Sequence, residues 1–243
     1  MSPVKKAAGF DLQGHRGARG HAPENTLPGF ARALELGVTT FELDVGVSRD
    51  GVVVVHHDRR LNPDVARGPD GRWVAAPAPL ISSLDFDELQ RYDVGRIRPG
   101  SEYARRFARQ QPVDGARIPA LAELLERHRS GSVRFNIELK LLPDAADETL
   151  PPEPFAAAVV AVLRTARMEA RCTLQSFDWR VVKVVEREAP ELATLPVGAS
   201  GDPVAVAIVG IGAGEDHLGG DRLDETDTEE RRARSTCDRR LGG

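Results

Sequence analysis

Side chains able to move protons or hold a hard cation recur beside turns and at the ends of apolar runs. "QGHRGARGHAPENT" (13–26) sets His15 and Arg16 on a glycine-flanked turn. "FELDV" carries Glu42 and Asp44, "GVVVVHHD" ends in His56, His57 and Asp58, and "FNIELK" carries Asn136, Glu138 and Lys140. Glu42 and Asp44 lie two residues apart, so on a strand both carboxylates project from one face. Buried together they repel, and each pKa rises unless a cation lies between them. A hard divalent ion, Ca²⁺ or Mg²⁺, meets that need, and Glu138 is the third carboxylate that would complete an oxygen-rich site. The plainer alternative pairs the two carboxylates with Arg16 or Lys140. His15 and His57 have the side chain suited to proton transfer near neutral pH and could stand as acid and base on either side of a reacting phosphorus. Arg16 has the fork of donors that holds a phosphate oxygen, although an arginine at a turn is more often solvated. Arg19 and His21 read as bystanders. His56, His128 and His217 read as surface or hydrogen-bonded histidines.

The elements that must position these groups follow from periodicity. Residues 10–14 form a short apolar run ending at Gly14. Asn25 or Thr26 can cap a helix whose apolar face is Leu27, Phe30, Ala31 and Leu34, and Gly37 stops it. "VTTFELDVGVSRDGVVVVHHD" is two β-branched runs joined through Asp50-Gly51, a hairpin signal. From Arg59 to Arg117 turn residues crowd in and periodicity weakens, which suits an insertion laid over a scaffold; a short helix near 85–91 carries the Asp85…Glu88 capping-box spacing. Alternation then resumes: a helix over 120–129, a strand at 133–140, a helix near 155–167, a strand at 171–177, a helix near 179–188 and a strand near 192–198. Strands alternating with helices imply a parallel sheet covered on both faces, with about five parallel strands where a closed (β/α)₈ barrel has eight.

At 243 residues, 41% hydrophobic and 29% charged, the chain has the balance of a soluble globular protein with one sizeable core. A net charge of -4 and a pI near 5.9 supply no global field for nucleic acid or an anionic membrane. No run approaches a spanning helix and no signal-peptide core precedes Asp11, so the cytoplasm is the default expectation, with the periplasm open if the true start lies upstream. Cys172 and Cys237 lack metal-ligand spacing. Residues 199–243 turn Gly-, Asp- and Arg-rich and read as a largely disordered tail. "GIGAGE" within that stretch only mimics a dinucleotide fingerprint, since Glu215 takes its sixth position.

"HRG" with "PENT", then "FELDV", the "DG…HD" hairpin return, "NIELK" and "QSF" at 175–177 together resemble the glycerophosphodiester phosphodiesterase family. The resemblance spans about residues 10 to 195, and random sequence does not place such pieces in order. It implies a TIM-type α/β barrel over 10–198, with 59–117 as an inserted subdomain after the second strand. It further implies metal-dependent hydrolysis of glycerophosphodiesters to glycerol 3-phosphate and an alcohol. By position, His15 and His57 are then the acid/base pair, Glu42, Asp44 and Glu138 the ligands of Ca²⁺ or Mg²⁺, and Arg16 and Lys140 the phosphate contacts. The expected partner is a small-molecule glycerophosphodiester, with no nucleic acid and no integral membrane segment.

Family members usually end in a "WTVN"-like strand and a "DGIITD"-like strand, and neither occurs here. The expectation is therefore a truncated or frameshifted barrel lacking its last strands. The competing function class is an inactive remnant or binding module of the same family. A lipid-directed phospholipase D-like or phosphatidylinositol-specific phospholipase C-like barrel is a narrower alternative.

Overall fold

In the computed structural model, residues 11–141 and 147–197 are described, and the expected tail at 199–243 lies outside them. The chain runs β1 (Gln13–Gly14), α1 (Leu27–Glu35), β2 (Thr40–Val47), β3 (Val53–Val55), α2 (Phe86–Leu89), α3 (Glu102–Arg106) and α4 (Leu121–Arg127). It continues through β4 (Arg134–Leu139), α5 (Pro152–Ala166), β5 (Cys172–Ser176), α6 (Trp179–Glu188) and β6 (Ala193–Pro196). Single-turn 3₁₀ segments lie at Ile81–Ser83 and Glu169–Arg171.

The strands β1, β2, β4, β5 and β6 pair in that order, all parallel, while β3 returns antiparallel along β2. This is the strand–helix–strand progression of a TIM-type barrel, and among the described residues the sheet ends at β1 and β6 without closing. β1 is only two residues long, shorter than the apolar run at 10–14 suggests. All four side chains of β6 are exposed or half-buried.

Register separates the two faces of the sheet. Phe41 pairs with Phe135 and Phe135 with Cys172; Leu43 pairs with Ile137 and Ile137 with Leu174. These belong to one apolar cluster with Phe30 of α1, Leu124 of α4, Phe155 and Leu163 of α5 and Val185 of α6. Phe41 meets Phe30 at 5.0 Å and Phe135 edge-on at 5.7 Å between ring centroids. The intervening positions, Glu42 beside Asn136 and Asp44 beside Glu138 and, next along, Gln175, take the opposite face. Those polar side chains are buried nonetheless.

Helix starts follow local chemistry. Thr26, rather than Asn25, caps α1: its Oγ1 accepts from Gly29 N at 3.2 Å and donates to the Pro23 carbonyl at 2.6 Å. The capping box at Asp85 and Glu88 is formed. Between β3 and α4 the chain builds a second apolar cluster on Leu61, Ala66, Ala78, Ile81, Leu89, Val94 and Ile118, anchored to the sheet through Val54. Its first residues are tied to the connection ahead of α5, where Glu148 accepts from Arg59 Nε at 2.8 Å and from Arg60 Nη2 at 2.8 Å.

Candidate active site

The turn after β1 leads into the site. A Cβ on Gly14 would meet the Gly17 carbonyl oxygen at 2.3 Å, so only glycine allows the chain to fold back this tightly. Arg16 itself sits at φ 52, a left-handed conformation that L side chains rarely adopt. The conformation is held from both sides. Arg16 N donates to Glu42 Oε2 at 2.9 Å, and Arg16 O accepts from Asn25 N at 3.0 Å. Asn25, also left-handed at φ 51, donates through Nδ2 to Asp44 Oδ2 at 2.9 Å.

The turn therefore places the HRG residues against the carboxylates of β2. His15 Nε2 lies 3.8 Å from Glu42 Oε2, and Arg16 Nε lies 3.4 Å from Asp44 Oδ2. From β4, Glu138 joins them: Glu42, Asp44 and Glu138 each offer an oxygen, all within 4.8 Å of one another. Lys140, just past β4, donates to Glu138 Oε1 at 2.7 Å and stands 3.7 Å from Asp44 Oδ1. His57 follows β3, its Nδ1 2.6 Å from Asp58 Oδ1, and Asn62 donates to the other oxygen of Asp58 at 2.7 Å. A carboxylate can only accept, so Nδ1 of His57 carries the proton in that bond. Every residue singled out from sequence as chemical is thus drawn to one end of the sheet. His15, with 26% of its side chain exposed, is the most open of them.

Charge is unevenly shared. Burial, then the Asp44 and Glu138 charges, push Glu42 well above the ordinary carboxylate range. Burial also acts on Asp44, but His57, Arg16 and Lys140 outweigh it and hold that carboxyl below its usual range. Glu138 is raised by burial, only partly offset by Lys140. Burial lowers Lys140, yet Glu138 and Asp44 more than reverse this and raise it. Burial followed by Arg19 and Arg16 keeps His15 well below the usual histidine range. If all three carboxylates ionise, the two cations facing them leave one negative charge in excess, least tolerated at Glu42, which burial and its neighbours drive towards the protonated form. That excess, on an all-oxygen donor set, fits a hard divalent cation. The Arg16 and Lys140 ion pairs of the plainer reading are present as well.

Sequence reading passed over several contributors. Arg19, taken as a bystander, donates from Nη2 to His15 Nδ1 at 2.8 Å. Glu24 accepts from Arg16 Nη1 at 3.1 Å and also accepts the hydroxyl of Tyr103 from α3. Gln175 reaches Glu42 Oε1 at 3.5 Å and accepts from Asn136, which donates equally to Gln13. The glutamine of "QSF" was a usable signal for the last network; nothing local marked Tyr103. His56 is buried with Nε2 3.3 Å from the Arg60 carbonyl, and His128 stacks edge-on against Phe41.

The family model described as "Glycerophosphoryl diester phosphodiesterase family" matches residues 15–219. The chain belongs to the glycerophosphoryl diester phosphodiesterase family. Within it, a glycerophosphodiester phosphodiesterase of Caldanaerobacter subterraneus subsp. tengcongensis is 29% identical over 181 residues, covering 73% of this chain and 62% of the relative. A solved structure from Silicibacter pomeroyi, assigned to glycerophosphoryl diester phosphodiesterase, is 37% identical with a TM-score of 0.71, covering 76% of this chain and 63% of that one. An Oleispira antarctica phosphodiesterase, solved in complex with the product sn-glycerol-3-phosphate, is 27% identical with a TM-score of 0.57, covering 77% of this chain and 65% of that one. The chain thus spans somewhat less than two thirds of the length of these relatives. Among the described residues no helix is long and apolar enough to cross a membrane.

Proposed function

We propose that the protein hydrolyses glycerophosphodiesters to glycerol 3-phosphate and an alcohol, with Ca²⁺ or Mg²⁺ held by Glu42, Asp44 and Glu138. The observation that carries this reading is the convergence of those three carboxylates, within 4.8 Å of one another, on the turn bearing His15 and Arg16. The product found in the Oleispira antarctica relative supports the choice of substrate class.

In this reading Arg16 and Lys140 bind and orient the phosphodiester. A divalent cation at the three carboxylates would neutralise charge developing on the phosphoryl oxygens. His57, its Nδ1–H held by Asp58, presents Nε2 for proton transfer, and His15 is the second proton-handling group. One takes the proton of the nucleophile and the other supplies the proton to the leaving alkoxide; with water as nucleophile this yields glycerol 3-phosphate directly, whereas attack by the glycerol 2-hydroxyl yields a cyclic phosphodiester that water then opens with the two histidines exchanging roles. The ring of Phe177, 5.9 Å from Lys140 Nζ, covers the ammonium and helps to hold it in place.

The test is release of glycerol 3-phosphate from glycerophosphocholine with added Ca²⁺ or Mg²⁺, and again with chelator. His15→Ala and His57→Ala should each lower turnover by about 10²- to 10⁴-fold while the substrate still binds. Wild-type turnover in either variant would overturn the two-histidine assignment, and turnover indifferent to chelator would overturn the metal assignment. A folded, monodisperse protein with no turnover would instead favour the inactive remnant.

A further inference from the structure

The turn that carries His15 is gripped from the far side by the segment after α3. The Arg19 guanidinium lies 4.7 Å from the centroid of the Phe107 ring. Gln110 Nε2 donates to the Arg19 carbonyl at 2.8 Å, and Gln111 N donates to the His21 carbonyl at 2.9 Å. Between these anchors Arg19 extends Nη2 to within 2.8 Å of His15 Nδ1. Its position is therefore set by the inserted segment, some ninety residues away in the chain, as well as by its own turn.

A guanidinium has five donors and no acceptor. The ring nitrogen facing it must offer a lone pair, so the imidazole proton resides on the other nitrogen, Nε2, the atom 3.8 Å from Glu42 Oε2. His57 is arranged the opposite way, since its Nδ1 faces the carboxylate of Asp58. With a donor behind one ring and an acceptor behind the other, the neutral tautomers differ: His15 carries its proton on Nε2 and His57 on Nδ1.

We infer that Arg19, held on Phe107 and Gln110, is a positioning residue that fixes the ring orientation and tautomer of His15, so that residues after α3 govern a group of the proposed chemistry. The inference rests on the proposed role of His15, but its structural half is readable without turnover.

The experiment combines ¹⁵N-detected imidazole spectra of the whole protein with steady-state kinetics on glycerophosphocholine. In the wild type, His15 should show an acceptor Nδ1 and a protonated Nε2. Arg19→Ala should convert this to a mixture of tautomers and lower kcat about tenfold, with KM held within about twofold, because proton handling rather than substrate binding is disturbed. Arg19→Lys, which keeps a donor-only cation, should restore the wild-type tautomer and most of kcat. Phe107→Ala should move both readouts in the same direction as Arg19→Ala, by less. A protonated Nδ1 on His15 in the wild type, or an Arg19→Ala variant with unchanged tautomer and kcat, would overturn the inference. If Arg19→Ala fails to fold, Arg19→Lys and Phe107→Ala carry the test through the same spectra. Absence of wild-type turnover would count against the proposed reaction, while the wild-type spectra would still decide the Arg19–His15 pairing.

Discussion

Glu42 is the carboxylate with the least local compensation. It accepts the Arg16 backbone N–H and lies 3.5 Å from Gln175, whereas Asp44 has Arg16, Lys140 and Asn25 around it and Glu138 has Lys140. Its pKa is raised in the fold, so the folded state holds its proton more tightly than the unfolded chain does. With no cation bound, its contribution to stability is therefore lost as pH rises from the ordinary carboxylate range through its raised value. Glu42→Gln removes the charge and keeps an acceptor for Arg16 N. In chelator at pH 8 that variant should melt above the wild type by calorimetry, with the gap closing near pH 4. Adding Mg²⁺ or Ca²⁺ at about a hundred times the dissociation constant should stabilise the wild type by about 2.7 kcal/mol and leave Glu42→Gln almost unmoved. The candidate residues themselves were legible because a two-residue spacing on a strand forces a shared face, which is a matter of backbone geometry. Arg19 was not legible. What makes it more than a turn arginine is Phe107, and no pattern near Arg19 announces a contact so distant in sequence.

At the scale of elements, the start of α1 is where local chemistry and site geometry meet. Both Asn25 and Thr26 are capping residue types, and tertiary structure divides the work: Thr26 caps the helix while Asn25 turns left-handed to reach Asp44. Thr26 is fully buried, so its hydroxyl bonds to Gly29 N and Pro23 O are not replaced by water. Thr26→Ala should lower unfolding free energy by about 1–2 kcal/mol in urea titration, and Thr26→Ser should lose less than half of that. The hairpin, the capping box at Asp85 and the alternation of β4, α5, β5, α6 and β6 followed from spacing and turn residues. The length of β1 did not, since its two residues are strand only because Gln13 and Gly14 pair with Thr40 and Phe41 of β2.

At the scale of the molecule, the described residues form two apolar clusters, one between the sheet and its helices and one within the segment between β3 and α4. Separate clusters predict separate cooperative units. Leu89→Ala, at a fully buried position of the second cluster, should weaken amide protection across roughly residues 59–118 by about 2–5 kcal/mol, while β4 amides keep theirs in native-state hydrogen exchange. Uniform loss across both regions would show that they unfold as one. The sequence by itself determined the class of the fold and the family and named the candidate residues, because periodicity, turn residues and short motifs are local. Only the tertiary structure decided which cation faces which carboxylate, that Glu42 is the carboxylate left least compensated, and that the segment after α3 reaches back to Arg19 beside His15. Those outcomes depend on distances between groups far apart in the chain, and Coulomb and hydrogen-bond energies are set by distance and burial rather than by order in the sequence.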